Sequence, residues 1–406
     1  MFGAAELEGI AATSRYVYYR DPKRMQTVAS GRHQENSVIA YSMRWHEPGN
    51  SGCPYCLQRT RRLPCSPTLT CLRPIMVRWG IVGFGDIAAR AVAPAIQAHT
   101  SSSLVAICRR DQASLDRYAR EFDVANAYTS YTDMLDAGGI DAVYVATPIH
   151  LHGPQTMAAL KQGLHVLVEK PMAMDAAEAH QMVAAAEHAD LTLGIAFYHR
   201  FYPINLRIRE LVESGELGEL IALHGNASGP FIPDPNNPKL VWRVDRAQSG
   251  GGPLMDLGSH RLDLFYSLAG PAERVAAFSD RRVLDGTVED TASVIIQYAS
   301  GVQATLSSLW SVNPARGDYE IWCTKGHVNV PFARGTEYVL ERDDRTETIT
   351  LPAEDLHDLP LIDDFVQAVE RRGPHVLTGA GGLEVQRVID AAYASAATDR
   401  IVTISR

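Results

Sequence analysis

A lysine at the tip of an apolar strand poses a chemical question. In HVLVEKPMAM (His165 to Met174), Val166, Leu167 and Val168, with the preceding Leu164, read as a short buried strand that stops at Glu169, Lys170 and Pro171. A buried charge without a partner is expensive, so Lys170 is either paired structurally or placed to act. A second set of reactive side chains lies in SGGGPLMDLGSHRLDLFYSLAG. Its glycines and Pro253 open a helix that carries Asp256, His260 and Asp263 at i, i+4 and i+7, which predicts one shared face. Leu257, Leu264 and Leu268 take another, apolar face. A structural reading gives Asp256 to the helix dipole and His260 to the core. The functional reading needs a partner from elsewhere in the chain, and Lys170 is the candidate.

The elements that must position these groups alternate. VRWGIVGFGDIAARAVAPAI reads as strand, glycine turn and helix, the arrangement that binds a dinucleotide. Gly83 allows the tight turn, Gly85 lets the backbone approach a pyrophosphate, and Ala88 takes the packing position, with Phe84, Asp86 and Ile87 completing the turn. The helix N-terminus offers N–H groups to the phosphate. SSLVAIC, QASLDRYAREF, DAVYVATP, PQTMAALKQG, HVLVEK, AAEAHQMVAAAEHAD and LTLGIAFY continue the alternation. That pattern predicts a parallel, doubly wound sheet with its ligand at the carboxyl ends of the strands, where Thr147, Pro148, Glu169 and Lys170 fall. The second strand ends in Cys108, Arg109 and Arg110 instead of the acid that holds the ribose hydroxyl of NAD. A guanidinium grips a 2′-phosphate, so NADP(H) is the expected cofactor. NAD(H) remains possible, with Asp111 as its acid.

From about residue 199 the pattern changes. RVAAFSDRRV, DTASVIIQYA, VQATLSSLW, DYEIWCTKG, HVNVPF and TEYVLE are strands parted by short turns, which predicts an α+β domain over 199–406 with a large, mostly antiparallel sheet. Residues 76–198 form the Rossmann domain in this reading. An open apolar sheet face seeks cover, so a homodimer or homotetramer through this sheet is expected.

Residues 1–75 look foreign to the rest. They carry a charge of +5, which leaves −14 for residues 76–406. They show no sustained periodicity and read as a poorly ordered extension, with Met76 an alternative start. CPYC (Cys53 to Cys56) lacks the strand and helix of a redox motif, and Cys65 and Cys71 lack the spacing of a zinc knuckle. No metal site is expected. The net charge of −9 gives no footprint for nucleic acid or an anionic membrane. The N-terminus has no apolar signal core. A cytoplasmic protein with a small-molecule substrate is the expectation.

Together, GFGDIA, ATPIHLHGPQTMAALKQGLHVLVEKP, FYHRFYP, WRVDRAQSGGGPLMDLGSHRLDL and TGAGGLEVQRVIDAAYASA make residues 76–406 resemble the glucose–fructose oxidoreductase and inositol dehydrogenase (Gfo/Idh/MocA) family. The resemblance implies that Lys170 lies between nicotinamide and substrate, and that Asp256 and His260 contact the reacting hydroxyl. His152 matches a family histidine. Where the family often has Thr-Pro-Asn, this chain has Thr147-Pro148-Ile149. Arg200, Trp242 and Arg243 match positions near the pocket entrance and are candidate substrate ligands. The last helix is expected to return toward the Rossmann domain.

Oxidising a secondary alcohol requires a hydride to leave carbon while a base takes the hydroxyl proton, in one geometry. The expectation is that His260 exchanges the proton, Asp256 orients it and Lys170 polarises the substrate oxygen, with the alternative that Lys170 and His260 share or exchange these roles. Glu169 is expected to anchor the cofactor or the lysine. The implied activity is NAD(P)-dependent hydride transfer with a sugar, cyclitol or polyol. The alternatives are a redox-neutral NAD-dependent glycosidase and a cofactor-sensing regulator without turnover.

Overall fold

Among the described residues, regular structure starts at Val77, just after the change of composition at Met76. The computed structural model describes residues 76–231, 241–353, 356–371 and 375–405, all within the compact unit Thr70–Arg406. The readings of residues 1–75, including CPYC, Cys65 and Cys71, lie outside the described residues.

The first half runs β1 (Val77–Val82), α1 (Ala93–Ala98), β2 (Ser102–Cys108), α2 (Gln112–Glu121), β3 (Asn126–Tyr128), α3 (Tyr131–Ala137), β4 (Ala142–Val145), α4 (His152–Lys161), β5 (His165–Val168), α5 (Ala176–His188) and β6 (Leu193–Ile195). Its strands form one parallel sheet in the order β3-β2-β1-β4-β5-β6. Every residue of β4 is buried, as are Val166 to Val168 of β5, because helices cover both faces. The strand order reverses between β1 and β4, and there the carboxyl ends leave a crevice. The three-residue β3 is too short and polar to stand out in the sequence.

The second half contains α6 (Pro203–Glu213), β7 (Leu220–Ser228), α7 (Ser259–Ala269), β8 (Ala272–Asp280), β9 (Thr291–Tyr298), β10 (Gln303–Leu309), β11 (Tyr319–Cys323), β12 (Gly326–Val330), β13 (Glu337–Arg342), β14 (Arg345–Thr350), α8 (Leu359–Val369), α9 (Gly379–Thr398) and β15 (Val402–Thr403). Nine strands order as β14-β13-β12-β11-β7-β10-β9-β8-β15. All neighbours are antiparallel except β7 and β10. Alternation decides what faces the core: Ala292, Val294, Ile296 and Tyr298 of β9 are buried, while Ile295 and the neighbouring Phe278 of β8 are exposed. α7 lies close against β7, where a side chain at Gly225 would meet Arg261 and Phe265 at 3.0 Å.

The two sheets are tied together by α9. Its Gly382 packs on Ile195 and Met172, and its Asp390 accepts the Ala176 N–H at 2.7 Å. Thr378, which caps α9, bridges to Gly194 of β6. Among the described residues, no helix is long and apolar enough to cross a membrane.

Candidate active site

The cofactor turn is built by backbone geometry. Gly83 has φ +80°, and the N–H groups of Gly83 and Phe84 both donate to the Cys108 carbonyl, at 3.0 and 3.1 Å. A β-carbon at residue 83 would lie 2.6 Å from the Ala146 carbonyl oxygen. We therefore expect Gly83→Ala to cost roughly 1–3 kcal/mol of backbone strain and to weaken NADPH binding, checked by thermal melting and by fluorescence titration. Over Gly85 the space is open: a side chain there would come no closer than 3.6 Å to the Gly83 oxygen and 3.8 Å to Arg109. A wide helical turn, Ala88–Val92, then leads into α1. Ile87 is 47% exposed at its start, an apolar surface facing the crevice. This cradle suits a dinucleotide phosphate and an adjoining ring. Phe84 departs from expectation, since its side chain is buried between Tyr118 and Phe122, at 5.1 and 5.3 Å, and only its backbone lies at the turn. Asp86 is exposed, and its carbonyl accepts from Arg90.

At the end of β2, Arg109 bends back over this turn and donates to the Phe84 carbonyl at 2.9 Å, leaving its Nε unpartnered. Arg110 beside it is exposed. Asp111, the alternative acid for a ribose, caps α2 by accepting the Ser114 N–H at 2.9 Å, which also lowers its pKa. That carboxylate is committed to the helix.

The end of β4 and the strand-end lysine are braced by one imidazole. His152 is buried with its ring nitrogens 2.8 Å from the Thr147 carbonyl and 2.9 Å from the Pro171 carbonyl, and burial lowers its pKa to about 4. The Thr147 hydroxyl donates to Gln155 at 2.7 Å, and Pro148 begins the short turn Ile149–Leu151. Ile149 lines the crevice as an apolar wall, where the family's common pattern has a polar group.

Lys170 meets Asp256 across the two halves of the molecule. Its Nζ donates to the Asp256 carbonyl at 3.0 Å and to Oδ1 at 3.2 Å. The lysine's charge holds the half-buried Asp256 carboxyl below its ordinary pKa, outweighing desolvation. Glu169 accepts from the Tyr144 hydroxyl at 2.7 Å and from the Lys170 backbone N–H at 3.2 Å, and burial raises its pKa.

Asp256 sits in a wide turn, Leu254–Gly258, of i→i+5 type, before α7 begins. Glu289 fixes this turn by accepting the Gly252 N–H at 3.0 Å, the Leu254 N–H at 3.3 Å and the Tyr393 hydroxyl at 2.8 Å. A side chain at Gly252 would collide with the Glu289 carbonyl. The wide turn breaks the four-residue spacing on which a shared Asp256–His260–Asp263 face depended. Asp256 bonds Lys170, and Asp263 binds Arg200 through two bonds of 2.7 and 2.6 Å. His260 stacks on His199, 4.0 Å apart and 10° from parallel, with the Nδ1 of both rings unpartnered. Burial, His199 and the Lys170 charge hold the His260 pKa well below its ordinary value.

A cavity of about 450 Å³ joins these parts. Ile87, Thr147, Ile149, His152, Glu169, Lys170, Trp242, Arg243 and Asp256 line it. Of the cofactor candidates, Gly83, Phe84, Gly85, Asp86, Arg109, Arg110 and Pro148 are not in that lining, nor are two of the catalytic and substrate candidates. His260 lies behind Tyr198, edge-on at 5.2 Å, so the expected proton exchange and the expected Asp256-to-His260 contact are not built. Arg200 is 9% exposed and neutralises Asp263 in the interior, so it is no entrance residue. Conversely, the sequence reading missed Tyr198, Tyr202, Trp310, Arg334, His357 and Asp358, which complete the lining. Tyr198 and Tyr202 lie in the quoted FYHRFYP and Trp310 ends the quoted strand VQATLSSLW, but the others come from connections without periodicity. Among the described residues, no cluster of three or more His, Cys, Asp or Glu is arranged to hold a metal.

Residues 77–197 match the model of an oxidoreductase family with an NAD-binding Rossmann fold, and residues 205–329 match the GFO/IDH/MocA C-terminal domain. The chain belongs to the GFO/IDH/MocA oxidoreductase family. The D-xylose 1-dehydrogenase (NADP(+)) 2 of Haloferax volcanii is 32% identical over 333 residues, covering 80% of this chain and 99% of that protein. A 1,5-anhydro-D-fructose reductase of Ensifer adhaerens is 30% identical over 317 residues, covering 76% and 92%. The crystal structure of the aldose-aldose oxidoreductase of Caulobacter crescentus, complexed with glycerol, superposes with a TM-score of 0.74 at 28% identity, covering 80% of this chain and 99% of that one. This family member is accordingly an NAD(P)-dependent dehydrogenase or reductase acting on CH–OH groups, and a regulator without turnover is set aside.

Proposed function

We propose that the protein interconverts a secondary alcohol and a ketone on a sugar, cyclitol or polyol, with Lys170 as the group that handles the proton. The observation that carries this is the Lys170–Asp256 pair facing the crevice beside the glycine turn. A nicotinamide dinucleotide bound at Gly83, Gly85 and Ile87 supplies or accepts the hydride. Lys170 has two of its donor directions satisfied by Asp256, so its position is fixed while a third direction remains for a substrate oxygen. In reduction it donates to the carbonyl oxygen as negative charge develops there. In oxidation it accepts the hydroxyl proton. Asp256 and Glu169 hold the lysine in place, and His260, kept neutral, supports the wall behind Tyr198. Trp242 offers a face for a sugar ring, and Arg243, whose guanidinium lies 5.6 Å from that ring, can meet a substrate oxygen.

NADP(H) is the preferred cofactor in this reading, supported by Arg109 and Arg110 and by the commitment of Asp111 to a helix cap. NAD(H) is the weaker alternative. We expect Arg109→Ala to raise KM for NADP⁺ by about 10- to 100-fold, in line with loss of a charge-assisted phosphate contact, and to leave KM for NAD⁺ within about twofold. The homo-oligomer would form on the outer face of the nine-stranded sheet, where Phe278, Ile295 and Trp322 are exposed. We place the protein in the cytoplasm and its domain boundary near residue 199.

The deciding experiment follows nicotinamide absorbance with NADP⁺ and NAD⁺ against aldoses, cyclitols and polyols, and with NADPH against their keto forms. Turnover on any of these supports the reading. Turnover confined to non-sugar carbonyls overturns the substrate class, and product formation without net cofactor change favours a redox-neutral glycosidase.

A further inference from the structure

One wall of the cavity holds a carboxyl that the chemistry described so far leaves unused. Asp358 is 4% exposed, lines the cavity and stands at the N-terminus of α8. Three other aspartates at helix starts, Asp111, Asp175 and Asp245, each accept a backbone N–H in the following turn. Asp358 does not, and its carboxyl accepts no hydrogen bond from any described residue. Its polar capacity is therefore kept for the cavity.

Its neighbours form an electrostatic series. Lys170 acts on both Asp256 and Glu169, and Glu169 acts on Asp358, on Tyr144 from β4 and on Tyr198. Asp358 acts in turn on Tyr144, Tyr198 and Tyr202. The other charged or titratable groups on this side are Arg334, which bonds Tyr202, and His357, whose ring lies 5.1 Å from that of Tyr202. Among the described residues, no cation is paired with Asp358. Burial and the Glu169 charge raise its pKa to about 7, so near neutrality it exists in both protonation states.

Resting on the reading of Lys170 given above, we propose that Asp358 is a positioning residue that stores the reaction's proton in the cavity it lines together with Lys170 and exchanges it with Lys170 across that cavity. In reduction, an N–H bond of Lys170 breaks as the O–H bond of the product forms, the electron pair having arrived as the hydride. The Asp358 carboxyl proton then restores the ammonium by way of the cavity, and solvent reprotonates the carboxylate through the cavity mouth. Oxidation runs the same steps backward. Two carboxyls lining one cavity are suited to this, because the ionisation of one opposes that of the other.

The test uses the full chain with Asp358→Asn, Asp358→Glu and Asp358→Ser, each with two readouts. Infrared difference spectra of the resting protein, without substrate, are expected to show a protonated-carboxyl band that disappears between about pH 6 and 8. Asp358→Asn and Asp358→Ser remove this band, and Asp358→Glu shifts it. In the second readout, the wild-type reduction rate falls with rising pH above about 7. Asp358→Asn loses that limb, with kcat at pH 6 lowered by about 10-fold, KM for NADPH unchanged, and the limb restored in Asp358→Glu. A band that persists in Asp358→Asn overturns the proposal, as does a rate lowered equally at every pH. A titrating band that depends on Asp358, in a protein that turns over none of the sugars, cyclitols or polyols, overturns the substrate reading and leaves the carboxyl assigned.

Discussion

Lys170→Ala is expected to lower kcat by about 10³-fold, in the range of a lost acid–base or oxyanion-stabilising group, while the Kd for NADPH changes by less than about threefold. The reason lies in how the lysine is held. Both of its hydrogen bonds go to Asp256, on the segment before α7, and none anchors the glycine turn of the cofactor. Removing the ammonium leaves the half-buried Asp256 carboxylate without this cation, so a modest loss of stability accompanies the kinetic effect. Lys170→Arg is expected to restore stability without restoring turnover, since a guanidinium keeps its proton and carries its charge in a planar fork. Steady-state kinetics with fluorescence titration of NADPH check both variants. Equal losses in turnover and cofactor affinity would make Lys170 a structural residue.

Arg200→Met is expected to destabilise the fold by about 3–5 kcal/mol, the cost of breaking a buried ion pair from one side. Arg200 and Asp263 are 9% and 1% exposed and bind through two short parallel bonds, and Tyr266 lies over the guanidinium at 5.5 Å. The pair joins the turn Tyr198–Phe201, which forms one cavity wall, to α7, which follows the turn carrying Asp256. Removing the cation strands a carboxylate whose burial already raises its pKa. Replacing both residues, as Arg200→Met with Asp263→Leu, is expected to recover much of the loss, because an apolar pair has no desolvation to offset. Denaturant melts with activity measured on the folded fraction check this: stability falls while KM for substrate in that fraction stays near wild type. A large rise in KM at unchanged stability would return Arg200 to the substrate pocket.

The architecture was legible because it rests on local periodicity. Strands buried on both faces read as apolar runs, as in Val166–Val168, and exposed faces of the second sheet alternate, as in β9. Gly83 could be identified from its motif because a positive φ and a close carbonyl leave no room for another residue. Lys170 and Asp256, both candidates from the sequence, pair in the structure although 86 positions separate them.

The failures have a common cause. The expectation for His260 assumed an uninterrupted α-helix, and the wide turn at Leu254–Gly258, held by Glu289 from another element, shifted the phase. Arg200 has the residue type of an anion ligand, but only the fold brings Asp263 to meet it. Asp358, Arg334 and Trp310 carry no spacing signal because each comes from a separate connection or strand end that converges on the cavity. Sequence alone therefore determined the two-sheet fold, the glycine cradle, the arginines at the end of β2 and the strand-end lysine. Tertiary structure decided which charges are spent in the interior and which face the cavity, since pairing and desolvation depend on neighbours distant along the chain.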